Sequence, residues 1–371
     1  MQDDAIVQLE NKFYISANST YADNRIKVLN HSDTFGIFDR YGDIRQIGDE
    51  IQGIYHQGTR FLSESEFRIN NFRPLLLSSS VKDENEILSV DQTNQLLAEA
   101  EGWPAVLKST IHIRKSKFIR DGACYEKIEF INYSASPCRF TASFAFHGDF
   151  RDIFEVRGIK REKKGELFEI RHEEANLLVI RYMGLDQIER STNIHFYQVP
   201  SHWETQEKAI YQVELQPQQH FIIDYVMTFN IGNQPLKVPV PFDEARTLME
   251  TDLEQAQLEF AHVFTSNEQL NHWVKQSQAD LISLLAKTSG GRYPFAGVPW
   301  YNTPFGRDGI ITAYETLWAA PQIARDVLLF LARYQATEVN SYQDAEPGKV
   351  IHEMRGGEMV ELNEIPFKRY Y

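Results

Sequence analysis

Residues 138–146 read Cys-Arg-Phe-Thr-Ala-Ser-Phe-Ala-Phe, and this stretch decides the fold of the first half of the chain. Apolar side chains occupy every second position from Phe140 to Phe146, and the first of them alternate with Arg139, Thr141 and Ser143. Successive side chains of a β-strand point to opposite faces of its sheet. The alternation therefore predicts a strand with one buried face.

Further segments of the same kind lie on both sides of this strand within residues 1–235. They are short, rich in β-branched and aromatic residues, and separated by turns such as Asn-Tyr-Ser-Ala-Ser-Pro at 132–137. The predicted strands are 12–16, 34–38, 107–114, 126–133, 177–182 and 221–229. Many short strands with frequent turns are typical of an antiparallel β-sandwich, which we predict for residues 1–235.

A proline-rich stretch follows the last predicted strand. Residues 232–241 read Gly-Asn-Gln-Pro-Leu-Lys-Val-Pro-Val-Pro, a composition that favours an extended, stiffened connection. We assign residues 236–242 as a linker and residues 243–371 as a second, helical domain. A chain of 371 residues is longer than one ordinary domain, which agrees with this division.

Apolar residues recur on a helical period after the linker. The first predicted helix runs from Asp243 to about residue 264 and includes Leu248 in its apolar stripe. A second helix is predicted to begin at the overlapping capping boxes of Thr265 and Ser266. It is predicted to end at Gly290-Gly291, since glycine commonly terminates helices.

Two more helices are predicted before an irregular, polar end segment. Asp308 occupies the position expected of a third helix N-cap, and Pro321 is expected to start a fourth helix. The apolar stripe of the third helix comprises Ile310, Ile311, Tyr314, Leu317 and Trp318. About two helical hairpins do not close a large helical domain, so we expect the chain to be truncated inside its second domain.

Composition excludes several classes of function. The formal net charge of −14 and the absence of a basic block argue against a nucleic-acid or anionic-membrane partner. No apolar run reaches the length of a membrane span, so we expect a cytoplasmic protein. Cys124 and Cys138 are predicted to be buried thiols. The sequence contains no glycine-rich phosphate loop, Cys/His cluster or nucleophile elbow, so no cofactor and no metal site are predicted.

A loop rich in aromatic residues precedes the third predicted helix. Residues 299–308 read Pro-Trp-Tyr-Asn-Thr-Pro-Phe-Gly-Arg-Asp. Arg307 and Asp308 supply donors and acceptors that match adjacent sugar hydroxyls, while Trp300, Tyr301 and Phe305 supply flat apolar faces. A purely structural alternative stays open, in which Asp308 caps the helix and pairs with Arg307.

A second polar cluster follows at residues 352–358, which read His-Glu-Met-Arg-Gly-Gly-Glu. A zinc motif of the His-Glu-x-x-His type is excluded, because position 356 is glycine. One interpretation is a polar pocket wall that includes Glu353 and Arg355. The other is a surface loop of solvated charges.

The first half contains two further charged stretches. Residues 149–158 form either a long loop that reaches the second domain or an ordinary charged connection, which the sequence alone favours. Residues 56–60 end at Arg60, which could be a structural ion-pair partner.

Together these motifs resemble the amylo-alpha-1,6-glucosidase (glycogen-debranching) family. The resemblance lies in residues 298–308, in residues 346–358 and in the Asp-Ile-Phe-Glu-Val-Arg-Gly of residues 152–158. Asp121-Gly122-Ala123 and the turn at residues 132–134 fit the family as well. Gly309 departs from the family pattern, which more often has Ser or Thr there, and Arg151 replaces a small residue.

The resemblance implies a multidomain β + α protein of the six-hairpin glycosidase type. It implies an N-terminal antiparallel β-sandwich followed by the first helical hairpins of an incomplete (α/α)6 toroid. Arg307 and Asp308 would hold the terminal glucose, Trp300, Tyr301 and Phe305 would form pocket walls, and Glu353 and Arg355 would line the same pocket. The implied partner is a glucan or oligosaccharide, and the sequence gives no indication of the oligomeric state.

The resemblance also implies hydrolysis of alpha-1,6-linked glucose from glycogen-like glucans by an inverting mechanism. Inverting enzymes place a general acid and a general base roughly 6.5–9.5 Å apart. Both catalytic residues are expected beyond Tyr371, so this chain alone is expected to be inactive. Two alternatives stay open: a related toroid glucosidase or trehalase-like enzyme, and a non-catalytic glucan-binding fragment.

Overall fold

The computed structural model describes residues 6–9, 12–15, 26–45, 51–81, 86–99, 102–232 and 240–371. Antiparallel strands dominate the chain as far as Ile231. The elements of this part are β1 (Ile6–Leu9), β2 (Lys12–Ile15), β3 (Lys27–His31), β4 (Thr34–Phe38), β5 (Gly53–His56), β6 (Thr59–Leu62), β7 (Glu64–Ile69), β8 (Leu75–Val81), β9 (Leu88–Thr93), β10 (Ile111–Arg120), β11 (Ala123–Asn132), β12 (Cys138–His147), α1 (Ile153–Val156), β13 (Glu166–Leu167), β14 (Arg171–Glu174), β15 (Leu177–Met183), β16 (Glu189–Phe196), β17 (His202–Thr205), β18 (Lys208–Leu215) and β19 (His220–Ile231).

Two of the sheets form facing layers. A nine-stranded sheet has the order β13-β15-β16-β19-β11-β10-β9-β8, with β14 also paired to β15, and a four-stranded sheet has the order β17-β18-β12-β7. One apolar core contains buried side chains from both sheets. Strands β3 to β6 form a separate four-stranded sheet, and β1 pairs with β2.

Phe144 on β12 illustrates how the two layers pack. Its ring meets Tyr211 on its own sheet, and it meets Phe196 and Tyr225 on the nine-stranded sheet, in edge-on contacts of 5.6–5.9 Å between centroids. Complete burial of such a side chain contributes about 1.5–3 kcal/mol. The predicted alternation of β12 is confirmed, because Phe140, Ala142, Phe144 and Phe146 are all buried.

Every predicted strand segment overlaps a strand of the structure, but several boundaries differ, most of all those of β10, which was predicted at 107–114 and covers Ile111–Arg120. The Asn94 side chain accepts hydrogen bonds from the amides of Thr110 and Ile111 and donates to the carbonyl of Leu107. These bonds hold the preceding residues in a loop. The predicted turn after Asn132 is confirmed, since the Asn132 side chain accepts from the Ser134 amide.

The second part of the chain is helical but also contains a small sheet that the sequence did not predict. Its elements are α2 (Phe242–Leu258), α3 (Glu268–Leu284), β20 (Leu285–Thr288), β21 (Gly291–Gly297), β22 (Tyr301–Pro304), α4 (Gly306–Glu315), α5 (Pro321–Arg333) and α6 (Glu358–Glu361). Helix α2 packs Phe242 edge-on against Phe118 of the nine-stranded sheet. Residues 236–239 of the predicted 236–242 linker lie outside the described residues.

The predicted ends of the first two helices are wrong. Helix α2 ends at Leu258, and its buried face is formed by Phe242, Ala245 and Met249, whereas Leu248 is exposed. Helix α3 is capped by Asn267, whose side chain accepts from the amides of Gln269 and Leu270, so neither Thr265 nor Ser266 is the cap.

Gly290-Gly291 does not terminate a helix. It turns the chain between the antiparallel strands β20 and β21, and Gly291 has a φ of +121°. Helix α3 ends at Leu284 and strand β20 begins at the next residue, Leu285. Leu285 and Ala286 are buried in the core of the second part.

The third helix also starts differently from the prediction. Phe305 is the N-cap of α4 and Asp308 lies within the first helical turn. The predicted apolar stripe of this helix is exposed along its whole length. The start of α5 at Pro321 is confirmed; its inner face buries Ile323, Val327 and Leu331, whereas Leu328 is exposed.

Two other expectations concern single features of the chain. Cys124 and Cys138 are free and buried, as predicted. Within the described ranges, each helix is too short or too polar to span a bilayer.

Candidate functional site

The aromatic loop connects β21 to α4 and presents one exposed ring. Tyr301 lies on β22, is 44% exposed, and meets Phe305 edge-on with 5.7 Å between centroids. Phe305 is buried, and its carbonyl accepts a hydrogen bond of 2.8 Å from the Tyr293 hydroxyl. Trp300 is partly buried against an apolar cluster that includes Phe35 of β4. The loop therefore presents the accessible ring of Tyr301, which packs against the buried ring of Phe305.

Glu353 and Arg355 form a buried ion pair beneath this loop. Arg355 Nε donates to Glu353 Oε2 at 2.8 Å, and the two side chains are only 7% and 8% exposed. Arg355 Nη2 also donates to the Trp300 carbonyl at 2.9 Å. Its guanidinium lies over the rings of Phe154 and Phe305 at 4.9 and 5.7 Å. The pair thus holds the backbone and a ring of the aromatic loop.

The start of α4 is fixed by close backbone contact with the segment around Glu353. The Gly306 amide donates to the His352 carbonyl at 3.0 Å, and Phe305 forms an isolated antiparallel bridge with Glu353. A Cβ atom at Gly306 would lie 1.9 Å from the Ile351 carbonyl oxygen. Only glycine fits at this position.

Arg307 and Asp308 follow directly in the first turn of α4. Their side chains are 75% and 39% exposed, and Arg307 Nε lies 3.7 Å from Asp308 Oδ2. This separation is too long for a hydrogen bond, so both groups keep their hydrogen-bonding capacity for another partner. Five of the seven predicted site residues are joined by contacts: Trp300, Tyr301, Phe305, Glu353 and Arg355. Arg307 and Asp308 follow Phe305 in the chain and contact none of these five side chains in the structure. We call the three solvent-accessible side chains, Tyr301, Arg307 and Asp308, the outer layer.

The charged stretch at residues 149–158 reaches the second part of the chain, and the interpretation as an ordinary connection is wrong. The Arg157 guanidinium lies over the rings of Trp300 and Tyr301 at 5.9 and 5.8 Å. Asp152 Oδ2 accepts from the Met359 amide at 3.4 Å. Arg60 pairs with Asp149 through an Nε–Oδ1 hydrogen bond of 3.0 Å, which confirms its predicted structural role.

The polar cluster at residues 352–358 is not a solvated surface loop. Besides the buried Glu353–Arg355 pair, Glu358 is almost completely buried. Glu358 accepts hydrogen bonds from the Tyr182 hydroxyl at 2.8 Å, the Leu185 amide at 2.9 Å and Arg161 Nη2 at 3.1 Å. Contact of Glu353 or Arg355 with a sugar stays a prediction.

No role was predicted for Arg157 or Arg161. Both lie in or near the stretch that contacts the second part, and Arg161 pairs with Glu364 as well as Glu358. One signal was available: Asp152 and Glu155 have capping-box spacing, and the structure forms that capping box at α1. No group of three His, Cys, Asp or Glu side chains in the described ranges is placed to hold a metal ion.

Asp152 should make stability depend on pH. Burial raises the pKa of its carboxyl from 3.8 to about 6, although the amides of Phe154 and Met359 donate to it and Arg161 lies nearby. The folded state therefore binds this proton more tightly than the unfolded state does. The stabilising contribution is complete below about pH 4 and is lost as the pH rises through about 6, a change of about 3 kcal/mol.

Asp152→Asn removes this titration. We expect the variant to gain stability relative to the wild type between pH 4 and pH 7, measured as the difference in free energy of unfolding in urea. A difference that stays constant across this pH range would contradict the assignment.

Comparison with known proteins identifies the family to which the chain belongs. A family model described as the N-terminal domain of (some) glycogen debranching enzymes matches residues 29–226, which is more than half of the chain. A search of curated protein sequences found no match.

Solved structures are similar to this chain at low sequence identity. A protein from the human microbiome, provisionally assigned as a kojibiose phosphorylase, is 11% identical with a TM-score of 0.55, covering 83% of this chain and 46% of its own. A bacterial glucoamylase in complex with acarbose is 13% identical with a TM-score of 0.48, covering 83% of this chain and 49% of its own. The chain thus spans about half the length of these two structures. From the family match, the chain belongs to the family that carries the N-terminal domain of glycogen debranching enzymes.

Proposed function

We propose that this chain is part of a glycoside hydrolase of the glycogen-debranching type, which releases alpha-1,6-linked glucose from glycogen-like glucans. The observation that carries the proposal is the outer layer of the site, which combines the exposed Tyr301 ring with two solvent-accessible charged groups that do not hydrogen bond to each other. The family match supports the same chemistry.

The outer layer matches the two faces of a glucose unit. A sugar ring has an apolar C–H face that packs on an aromatic ring, and hydroxyls that both donate and accept hydrogen bonds. In this proposal Arg307 donates to the hydroxyls, Asp308 accepts from them, and Tyr301 packs on the ring. Trp300, Phe305, Glu353 and Arg355 complete the wall.

The proposed domain organisation is a sandwich at residues 1–235, a linker at 236–242 and part of an (α/α)6 toroid at 243–371. Large apolar side chains on the helices support further helical partners for this second domain. Trp273 on α3 is 68% exposed, Tyr314 on α4 is 80% exposed, and Trp318 just after α4 is 70% exposed. Exposed patches of this kind mark surfaces that another element covers.

The proposed mechanism is inverting, with the general acid and base outside these 371 residues. Glu353 is held by Arg355 at 2.8 Å, so we give it a binding role and not an acid–base role. The chain alone should release no glucose from limit dextrin. Release of glucose by the purified chain would show that the acid and base lie within it.

The test of the binding role is Asp308→Asn, measured by calorimetric titration with panose, a trisaccharide that contains an alpha-1,6 linkage. Loss of a hydrogen bond to a charged group costs about 1.5–3 kcal/mol, so affinity should fall about ten- to hundred-fold. Trehalose in a parallel titration should bind more weakly than panose.

Glu268→Gln is the matched control, because Glu268 also lies in the first turn of a helix, at the start of α3. It should leave panose affinity unchanged. Equal affinities of the two variants and the wild type would refute sugar binding at Asp308 and leave the pair a structural role only.

A further inference from the structure

A second cleft lies beside Arg157, on the side of the sandwich domain. It has a volume of about 930 Å³ and is lined by the loop that contains Arg151 and Lys160 and by Gln52 and Ser63. Seven arginines and lysines line it against two carboxylates, Asp149 and Glu155. This excess of positive charge is local, since the chain as a whole has a net charge of −14.

Four of the seven cations pair with carboxylates at 3.4 Å or less and serve the fold. Arg60 bonds to Asp149 through Nε and Oδ1 at 3.0 Å, and Lys164 pairs with Glu155 at 2.7 Å. Arg161 and Arg45 also pair with carboxylates. These pairs use both of the acidic side chains that line the cleft.

Three cations remain for a ligand. Arg151 lies 3.7 Å from Asp149, which already bonds to Arg60, and the Arg151 side chain is 42% exposed. The Arg157 guanidinium lies over two aromatic rings, and neither Arg157 nor Lys160 forms an ion pair with any residue that the structure describes. A cleft that concentrates such positive charge attracts anions.

The residues beside the cleft indicate which chemical group carries the bound anion. Arg157 borders the cleft and also lies over Trp300 and Tyr301, so the cleft adjoins the aromatic loop. A volume of about 930 Å³ greatly exceeds that of an inorganic anion. Arginine donors match phosphate oxygens, and aromatic rings match a sugar face.

We propose that this cleft binds the phosphate monoester of a sugar, with Arg151 and Lys160 as phosphate ligands and Arg157 at the junction with the aromatic loop. The phosphate belongs either to a free hexose phosphate or to a phosphorylated glucan. The proposal goes beyond the hydrolase function and does not require it.

Calorimetric titration of the 371-residue chain at low salt tests the proposal with glucose 6-phosphate and with a maltooligosaccharide carrying a 6-phosphate. At least one should bind, and its affinity should fall as salt rises. The tighter of the two identifies the source of the phosphate. Neutral glucose should not bind in the cleft.

The variant Arg151→Gln/Lys160→Gln should weaken phosphate-ester binding at least tenfold and leave panose binding unchanged. Lys163→Gln/Arg171→Gln is the matched control, because it removes one lysine and one arginine from exposed positions that do not line the cleft. The control should bind within twofold of the wild type. Absence of binding by the wild type, or equal losses in the two double variants, would overturn the proposal.

Discussion

Arg355→Met should lower the free energy of unfolding by about 3–5 kcal/mol, because it leaves the Glu353 carboxylate buried without its charged partner. The same substitution removes the hydrogen bond to the Trp300 carbonyl and the contacts with the rings of Phe154 and Phe305. Urea unfolding followed by tryptophan fluorescence measures the change. The aromatic loop should lose its order, so panose binding should be lost as well.

Arg246→Met is a close control for this experiment. Arg246 Nε donates to Glu250 Oε1 at the same 2.8 Å, but the two side chains are 42% and 45% exposed on α2. An exposed pair of this kind contributes about 0.3–0.5 kcal/mol. Similar losses in the two variants would mean that burial does not determine the effect at Arg355.

Gly306→Ala should destabilise the protein by about 3 kcal/mol or more, near the upper end of overpacking effects. The new Cβ would lie 1.9 Å from the Ile351 carbonyl oxygen, which is backbone and cannot rotate away. The start of α4 would have to move away from the residues around Glu353. Arg307 and Asp308 lie in the same helical turn, so panose affinity should fall together with the melting temperature.

Gly356→Ala provides the comparison. A Cβ there would have only the Gln57 carbonyl oxygen nearby, at 3.8 Å, which is ordinary contact. This variant should stay within about 0.5 kcal/mol of the wild type. If Gly306→Ala is equally mild, the tight contact between α4 and residue 351 does not fix the site.

The sequence predicted the strands of the first half well, because alternation in a segment such as β12 reflects the two faces of a sheet directly. It missed the sheet formed by β20 to β22. These strands are short, and Gly290-Gly291 is compatible with both a helix end and a hairpin turn. Pairing between β20 and β21 makes this segment a hairpin turn and not a helix end. A local sequence pattern does not show which strands will pair.

The candidate site was predictable in residue type but not in arrangement. The aromatic residues at 300–305 and the charged residues at 353–355 do meet, but nothing in the sequence spacing separates the exposed Arg307 from the buried Arg355. The predicted N-cap of α4, Asp308, was wrong for a related reason. An N-cap is defined by backbone conformation, and Phe305 takes that position without a capping side chain.

The backbones of the two halves approach each other closely at Gly58 and Gly356. A Cβ atom at Gly58 would lie 3.1 Å from the Gly356 carbonyl oxygen, and the neighbouring Ile153 amide donates to the Gly58 carbonyl. Backbones this close leave little space for a side chain at Gly58. The sandwich is therefore not an interchangeable module: a chimera with a sandwich from another protein would have to import the matching glycine-containing segment of the other half as well.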